Sequence, residues 1–151
     1  MNAFTKYPQT KRLGRAQATV EFAFSVVAFL MLLFGIIGFG IAVYDYNFVS
    51  DAAREGARYA SVHGKDSLTP LTTAGASSTV RTFILNEANG INPNKLTVTV
   101  NPILGGNNTS PADFSPGNAA QVIVTYNASL PIPLFAQTLT LTSSSQMVIS
   151  Q

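Results

Sequence analysis

Few side chains in this sequence could carry out catalysis or hold a metal ion. His63 is the only histidine, and the chain contains no cysteine. Zinc-type sites take three or four ligands, mostly from these two residue types. The Gly-x-Ser-x-Gly turn, the phosphate-binding loop and the dinucleotide fingerprint are also absent. We therefore predict that the protein is not an enzyme and has neither a metal nor a cofactor. His63 is interpreted as a residue near a helix end, where the helix dipole favours a positive charge.

Glu21 is the one acidic residue in an unusual setting, because it stands at the start of a long apolar segment. Phe22–Tyr44 covers 23 residues without a charge. As a helix it would be about 35 Å long, compared with about 30 Å for the hydrocarbon core of a bilayer. We predict that Phe22–Tyr44 spans a membrane. The carboxylate of Glu21 would then either complement the positive end of the helix dipole or pair with a nearby ammonium group.

The charges on the two sides of this segment predict its orientation. Residues 1–20 contain Lys6, Lys11, Arg12 and Arg15 and no acidic residue, whereas five basic and six acidic residues follow the segment. By the positive-inside rule, the N-terminus stays in the cytoplasm and the rest of the chain is exported. A cleaved secretory signal is disfavoured because its apolar region usually has about 7 to 15 residues. The small net charge of +2 gives no reason to expect a nucleic-acid partner.

The helical period continues beyond the apolar segment, which predicts one long helix over residues 17–63. Asp51 and Arg54, and likewise Glu55 and Arg58, lie three residues apart and place opposite charges on neighbouring sites of one face. The other face carries a stripe of small residues that permits close approach of a second backbone. The stripe consists of Ala53, Gly56, Ala57 and Ala60. It would pack either on the chain's own C-terminal domain or on a neighbouring subunit.

Residues 64–151 predict a small α+β domain with a second helix and a sheet of three or four antiparallel strands. Ser78 is expected to cap the second helix. Alternation of apolar and polar residues predicts strands at 96–100 and 120–126, and a Gly/Pro/Asn-rich stretch predicts a loop over 102–118. Residues 138–142 and 146–150 would form one long strand or two short ones. Strands that follow helices in this way suggest a sheet onto which the long helix packs.

Two segments resemble a known family. Gln17-Ala-Thr-Val-Glu21-Phe22, between basic residues and the apolar run, resembles the N-terminus of type IV prepilins and pseudopilins. More narrowly it is similar to the TadE-like family of the tight-adherence (Flp/type IVb) pilus system. The segment Asn47–Ala60 resembles the helical signature that such proteins carry after the span. The region of Tyr126, Pro131 and Pro133 is similar more loosely.

The resemblance implies processing by a membrane-embedded prepilin peptidase, which leaves a glutamate as the fifth mature residue. Residues 1–16 would be the cytoplasmic leader, and the cut would fall between Ala16 and Gln17. Because this family usually has glycine where Ala16 stands, a cut between Gly14 and Arg15, or no cut, remains open.

The resemblance also implies assembly partners and a location. The partners are other pilins or pseudopilins and pilus assembly proteins. The implied location is the bacterial inner membrane, which the chain crosses once, with a surface fibre as the alternative. The long helix would mediate homo- or hetero-oligomers, with Glu21 and Phe22 in the charge-pairing site. The alternatives are an uncleaved, membrane-anchored binding domain and, with less support, a secreted enzyme.

Overall fold

The fold is dominated by one helix. The computed structural model describes residues 10–88, 90–105, 113–130 and 137–150, except for the side chains of residues 10–15 and of residue 137. Helix α1, Thr10–Val62, contains 53 residues and is therefore about 80 Å long. It begins before residue 17, where the sequence predicted its start. No break in the helix therefore separates the basic segment from the apolar one.

A short connector leads to the second helix, α2, Ala76–Glu87. The prediction that Ser78 caps this helix is wrong. Gly75 occupies the cap position and makes no side-chain cap bond, and Ser78 Oγ instead donates to the Gly75 carbonyl oxygen at 2.8 Å. The hydroxyl that bonds to the backbone N–H here belongs to Thr72, whose Oγ1 accepts a hydrogen bond from the Gly75 N–H at 3.2 Å. The cap residue was misplaced because several Ser and Thr residues compete for this role in the segment.

Three strands form an antiparallel sheet in the order β1-β2-β3. Their bounds are β1, Leu96–Ile103, β2, Ala119–Leu130, and β3, Gln137–Val148. The two C-terminal apolar stretches thus form one long strand up to Val148. The predicted α+β fold, with a long N-terminal helix, a second helix and a small antiparallel sheet, is confirmed.

Strand β1 extends further than the sequence predicted. Pro102 was assigned to a loop, yet it pairs with Ala120 of β2 in the sheet register. Proline lacks the N–H needed for a ladder hydrogen bond and is therefore confined to edge positions. β1 is an edge strand, so Pro102 fits there. The part of the predicted loop at residues 106–112 lies outside the described residues, as do Pro131 and Pro133.

The core lies between the sheet and the two helices. α1 packs against β2 and β3, and α2 packs against β1. Alternation along β2 places Val122, Val124 and Tyr126 in the core, while Asn127 on the other face is exposed. The sheet therefore has one buried apolar face and one face of hydroxyl and amide side chains turned away from the helices.

The strands run along the C-terminal half of α1. At the far end, the Ser150 N–H donates to the Ser61 carbonyl oxygen at 2.9 Å. At the other end, Lys95 just before β1 lies within electrostatic range of Asp45 on α1. Since β3 pairs antiparallel with β2 and ends next to Ser150, β3 runs away from the apolar segment, in the same direction as α1.

Candidate assembly surface of the long helix

The first half of α1 presents an apolar surface that is largely exposed in the part of the chain that the structure describes. Large side chains here are mostly open to the surroundings: Phe22 is 70% exposed and Phe39 is 72% exposed. Among the described residues, α1 is the one helix that is long and apolar enough to cross a membrane. Such a surface is stable in the hydrocarbon of a bilayer or against other apolar helices.

Glu21 lies at the N-terminal border of this surface. The residue is exposed and Phe22 follows it into the apolar surface. Its carbonyl oxygen accepts a hydrogen bond from Ser25 Oγ at 3.0 Å, a bond within the helix. Among the side chains that the structure describes, none forms a salt bridge with the Glu21 carboxylate. The carboxylate is therefore available to a group from outside this part of the chain.

The proposed processing positions lie inside the same helix. Gly14, Arg15, Ala16 and Gln17 all have helical backbone, and the side chains of Ala16 and Gln17 are exposed. A peptide bond within an α-helix is not extended, so a protease that cuts here would have to unwind α1 locally. The structure places the processing positions and Glu21 on one continuous helix.

The stripe of small residues lies against the chain's own domain. Ala53, Ala57 and Ala60 are each 0% exposed. A Cβ atom at Gly56 would lie 3.1 Å from methyl carbons of both Val122 and Val80. α1 therefore passes close to β2 and α2 at one point, and glycine there leaves room for both. The structure thus places the stripe in the core of one chain and not on its surface.

The opposite face of the same segment carries the charge pairs that the spacing predicted. Arg58 Nη2 lies 2.7 Å from Glu55 Oε1, and Arg54 Nη1 lies 3.5 Å from Asp51 Oδ1. The side chains of both pairs are largely solvent-accessible. Exposed pairs of this kind contribute at most about 1 kcal/mol each to stability. They keep this face of α1 polar where it leaves the apolar segment.

Sequence reasoning missed Asp45, which is buried directly after the apolar segment. Only 7% of the residue is exposed. Asp45 lies on the same packed face of α1 as Val49, Ala53 and Gly56. Burial raises the pKa of the Asp45 carboxyl, and the charge of Lys95 partly opposes that rise. The helical spacing from Asp45 to Val49 was the signal that could have placed it on the packed face.

The raised pKa of Asp45 predicts a dependence of stability on pH. In the window above the ordinary aspartate pKa of about 4, the folded state binds more protons than the unfolded state. This group therefore makes the protein less stable as the pH rises. We expect Asp45→Asn to raise the melting temperature at pH 7 and to reduce the loss of stability that begins as the pH rises above about 4.

Thermal unfolding in detergent at several pH values measures this effect. Asp51→Asn, which removes a carboxylate from an exposed site on the same helix, is the matched control. A lower melting temperature for Asp45→Asn at pH 7 would show that the charged pairing with Lys95 outweighs the cost of burial.

Asn118 is the second residue that sequence reasoning missed. It is 1% exposed, its Oδ1 accepts from the Gly105 N–H at 3.2 Å, and its Nδ2 donates to Asp113 Oδ1 at 3.0 Å. One buried amide thus joins the two described ends of the predicted 102–118 loop. In the sequence it lies among Asn, Gly and Pro residues and therefore looks like an ordinary turn residue.

These observations define a class of protein. The described part of the chain has one candidate membrane-spanning helix, near the N-terminus, and the same helix is the main packing element of a small α+β domain. The family model described as TadE-like protein matches residues 16–58 of this chain. The resemblance read from the sequence is therefore confirmed over the apolar segment and over the signature that follows it as far as Arg58.

The matched segment suggests a protein associated with the tight-adherence pilus, since the TadE-like family consists of structural pilus components and not of enzymes. Residues 59–151, which include the whole sheet, lie outside the match. No curated protein and no solved structure matches the chain.

Proposed function

We propose that this protein is a TadE-like minor pilin or pseudopilin, a structural component of tight-adherence (Flp/type IVb) pilus assembly. The continuity of α1 supports this most directly. One helix has an exposed apolar half, and its second half forms the core of a domain. The TadE-like match covers the junction between these halves.

In this proposal α1 anchors the chain once in the bacterial inner membrane. The basic residues before the span hold the N-terminus in the cytoplasm, and the α+β domain is exported. The partners are the prepilin peptidase, other pilins or pseudopilins and pilus assembly proteins. The exposed apolar half of α1 supplies the surface for contact with neighbouring helices in the membrane or in a fibre.

Processing would convert the membrane protein into an assembly subunit. Cleavage between Ala16 and Gln17 would free an ammonium group four residues before Glu21. That group, on the same chain or on a neighbour, would pair with the Glu21 carboxylate and offset the cost of a charge at the edge of the apolar surface. A cut between Gly14 and Arg15 would instead place Glu21 seventh in the mature chain.

Mass spectrometry of the mature N-terminus tests this proposal. In cells that contain the prepilin peptidase, we expect a chain that begins at Gln17. In cells that lack the peptidase, the full chain should accumulate in the membrane. Ala16→Phe should block the cut, because it places a bulky side chain at the position before the cleaved bond, where a small residue is required. Ala23→Phe, inside the span, is the matched control.

Two results would contradict the proposed role as a processed pilin or pseudopilin. An intact N-terminus in cells with an active peptidase would support an uncleaved, membrane-anchored binding domain, an alternative that agrees with the helical backbone at Ala16 and Gln17. A start beyond Tyr44 would indicate a secreted domain released from its signal.

A further inference from the structure

The two edges of the sheet differ in how their backbone groups are occupied. At the β1 edge, Ser77 Oγ accepts a hydrogen bond from the Val100 N–H at 3.0 Å, and Arg81 Nε donates to the Leu96 carbonyl oxygen at 3.2 Å. Side chains of α2 therefore cover part of this edge. β3 forms the other edge.

The bonds at β1 also show which groups of β3 point outward. The backbone groups of Leu96 and Val100 point towards α2. The backbone groups of the odd-numbered residues of β1 therefore form the hydrogen bonds to β2. The continuous pairing then directs the odd-numbered residues of β3 towards β2. The outward N–H and C=O groups of β3 belong to Thr138, Thr140, Thr142, Ser144, Gln146 and Val148. In the described part of the chain, no residue outside the sheet bonds to these groups.

Strand β3 also lacks the features that normally protect an edge. Soluble proteins block long edges with charged residues, proline, bulges or short strands. β3 has 12 residues, no charge and no proline from Gln137 to Val148, and pairs with β2 without a bulge. At about 3.4 Å per residue, its outward edge is about 40 Å long. Leu139 and Met147 near its two ends are 39% and 40% exposed.

We propose that the outer edge of β3 binds an extended strand of another protein, which adds to the sheet as a fourth strand. Main-chain hydrogen bonds to the alternate residues from Thr138 to Val148 would provide the affinity, as in other cases of strand addition. On the helix side the added strand would carry apolar residues opposite Leu139 and Met147. Opposite Ser143 and Ser145 it would carry residues no larger than valine, as β2 does with Val124 and Val122, and it would be uncharged throughout.

A second copy of β3 paired antiparallel is excluded as the occupant by the direction of α1, an argument that rests on the span in the proposed function. Two identical antiparallel edges are related by a two-fold axis perpendicular to the sheet. β3 runs along α1 and away from the apolar segment, so this axis would point the two spans in opposite directions. They could not then lie in one bilayer with their domains on the same side. A second copy paired parallel, with its helices on the opposite face of the extended sheet, is an outcome of the test below.

A peptide probe tests the edge directly. A fluorescent peptide with the sequence of β2, Ala119–Leu130, is the natural antiparallel neighbour of β3 and should bind the full-length protein in nanodiscs. Thr142→Pro with Ser144→Pro removes two outward N–H groups and leaves the ladder to β2 intact. We expect this double variant to weaken binding about tenfold or more, a loss of about 1.4 kcal/mol.

The matched control is Thr142→Val with Ser144→Ala, which removes the same hydroxyls but keeps the N–H groups and should bind as the wild type does. If the proline variant unfolds, hydrogen exchange of the wild type replaces it. Bound peptide should then protect the amides of Thr140, Thr142 and Ser144, which exchange freely without it.

Three outcomes would overturn the inference. The first is no binding at peptide concentrations up to about 1 mM. The second is equal binding by the proline variant. The third is a disulfide between two copies carrying Thr142→Cys in one bilayer, which would identify β3 of a second copy as the occupant. None of these results depends on where the N-terminus is processed, so they are distinct from a failure of the proposed function.

Discussion

Gly56→Leu is expected to destabilise the α+β domain markedly and to lower its melting temperature, without affecting the apolar first half of α1. A Cβ atom at residue 56 already lies 3.1 Å from carbons of Val80 and Val122, and leucine adds three further carbons in the same space. Overpacking of a core costs about 1–3 kcal/mol and sometimes more, against a typical domain stability of about 5–15 kcal/mol. Near-ultraviolet circular dichroism and limited proteolysis of the detergent-solubilised chain measure the loss.

A graded series makes this test specific to the contact. Gly56→Ala gains about 1 kcal/mol of helix propensity, which offsets part of its tight contact, so its effect should be smaller than that of leucine. Gly40→Leu is the matched control, because no atom lies within 4 Å of the added Cβ there. A domain that melts at the wild-type temperature with Gly56→Leu would show that α1 does not pass β2 and α2 as closely as described.

Glu21→Ala is expected to abolish subunit assembly without affecting folding, insertion or processing. The substitution removes the carboxylate that would pair with a mature N-terminal ammonium group, so that group would be left unpaired at the edge of the apolar surface. Loss of even about 1.4 kcal/mol would lower the association constant tenfold. Crosslinking measures assembly cleanly, because the chain has no native cysteine and single cysteines can be introduced along α1.

The controls for Glu21 separate charge from shape. Glu21→Gln keeps the size of the side chain but not its charge and should fail like alanine, whereas Glu55→Ala, on the exposed face of the C-terminal half of α1, should assemble normally. Mass spectrometry confirms that the variant is still processed. Unchanged crosslinking and fibre formation by Glu21→Ala would leave Glu21 only the role of complementing the helix dipole, worth about 0.3–1 kcal/mol.

Local patterns were sufficient to predict the elements of the fold. The alternation of Leu96, Val98 and Val100 with threonines identified β1, and the spacing from Val49 to Ala60 carried α1 beyond the apolar segment. These signals depend only on neighbours in the sequence. The exposed ion pairs at Asp51 and Glu55 followed for the same reason, since residues three apart on a helix lie side by side.

Features that depend on packing between distant segments could not be predicted. Asp45 is buried because the domain reaches the end of the apolar segment, and Asn118 is buried because both ends of a loop converge on it. Likewise, the small residues around Gly56 are compatible with either an internal or an external partner until the position of β2 is known. The order of the strands, and hence the open edge of β3, also requires the tertiary structure.

Because α1 is continuous, the orientation of the α+β domain follows the tilt of the apolar segment. No glycine or proline lies between Gly40 and Gly56, so the helix has no flexible point where it leaves the apolar segment. The stretch from Asp45 to Val62 extends about 27 Å. Membrane helices tilt by about 20° on average, depending on bilayer thickness, and that tilt would move the far end of the domain sideways by about 9 Å. With the apolar segment in a bilayer, changes in lipid thickness would therefore displace the sheet laterally.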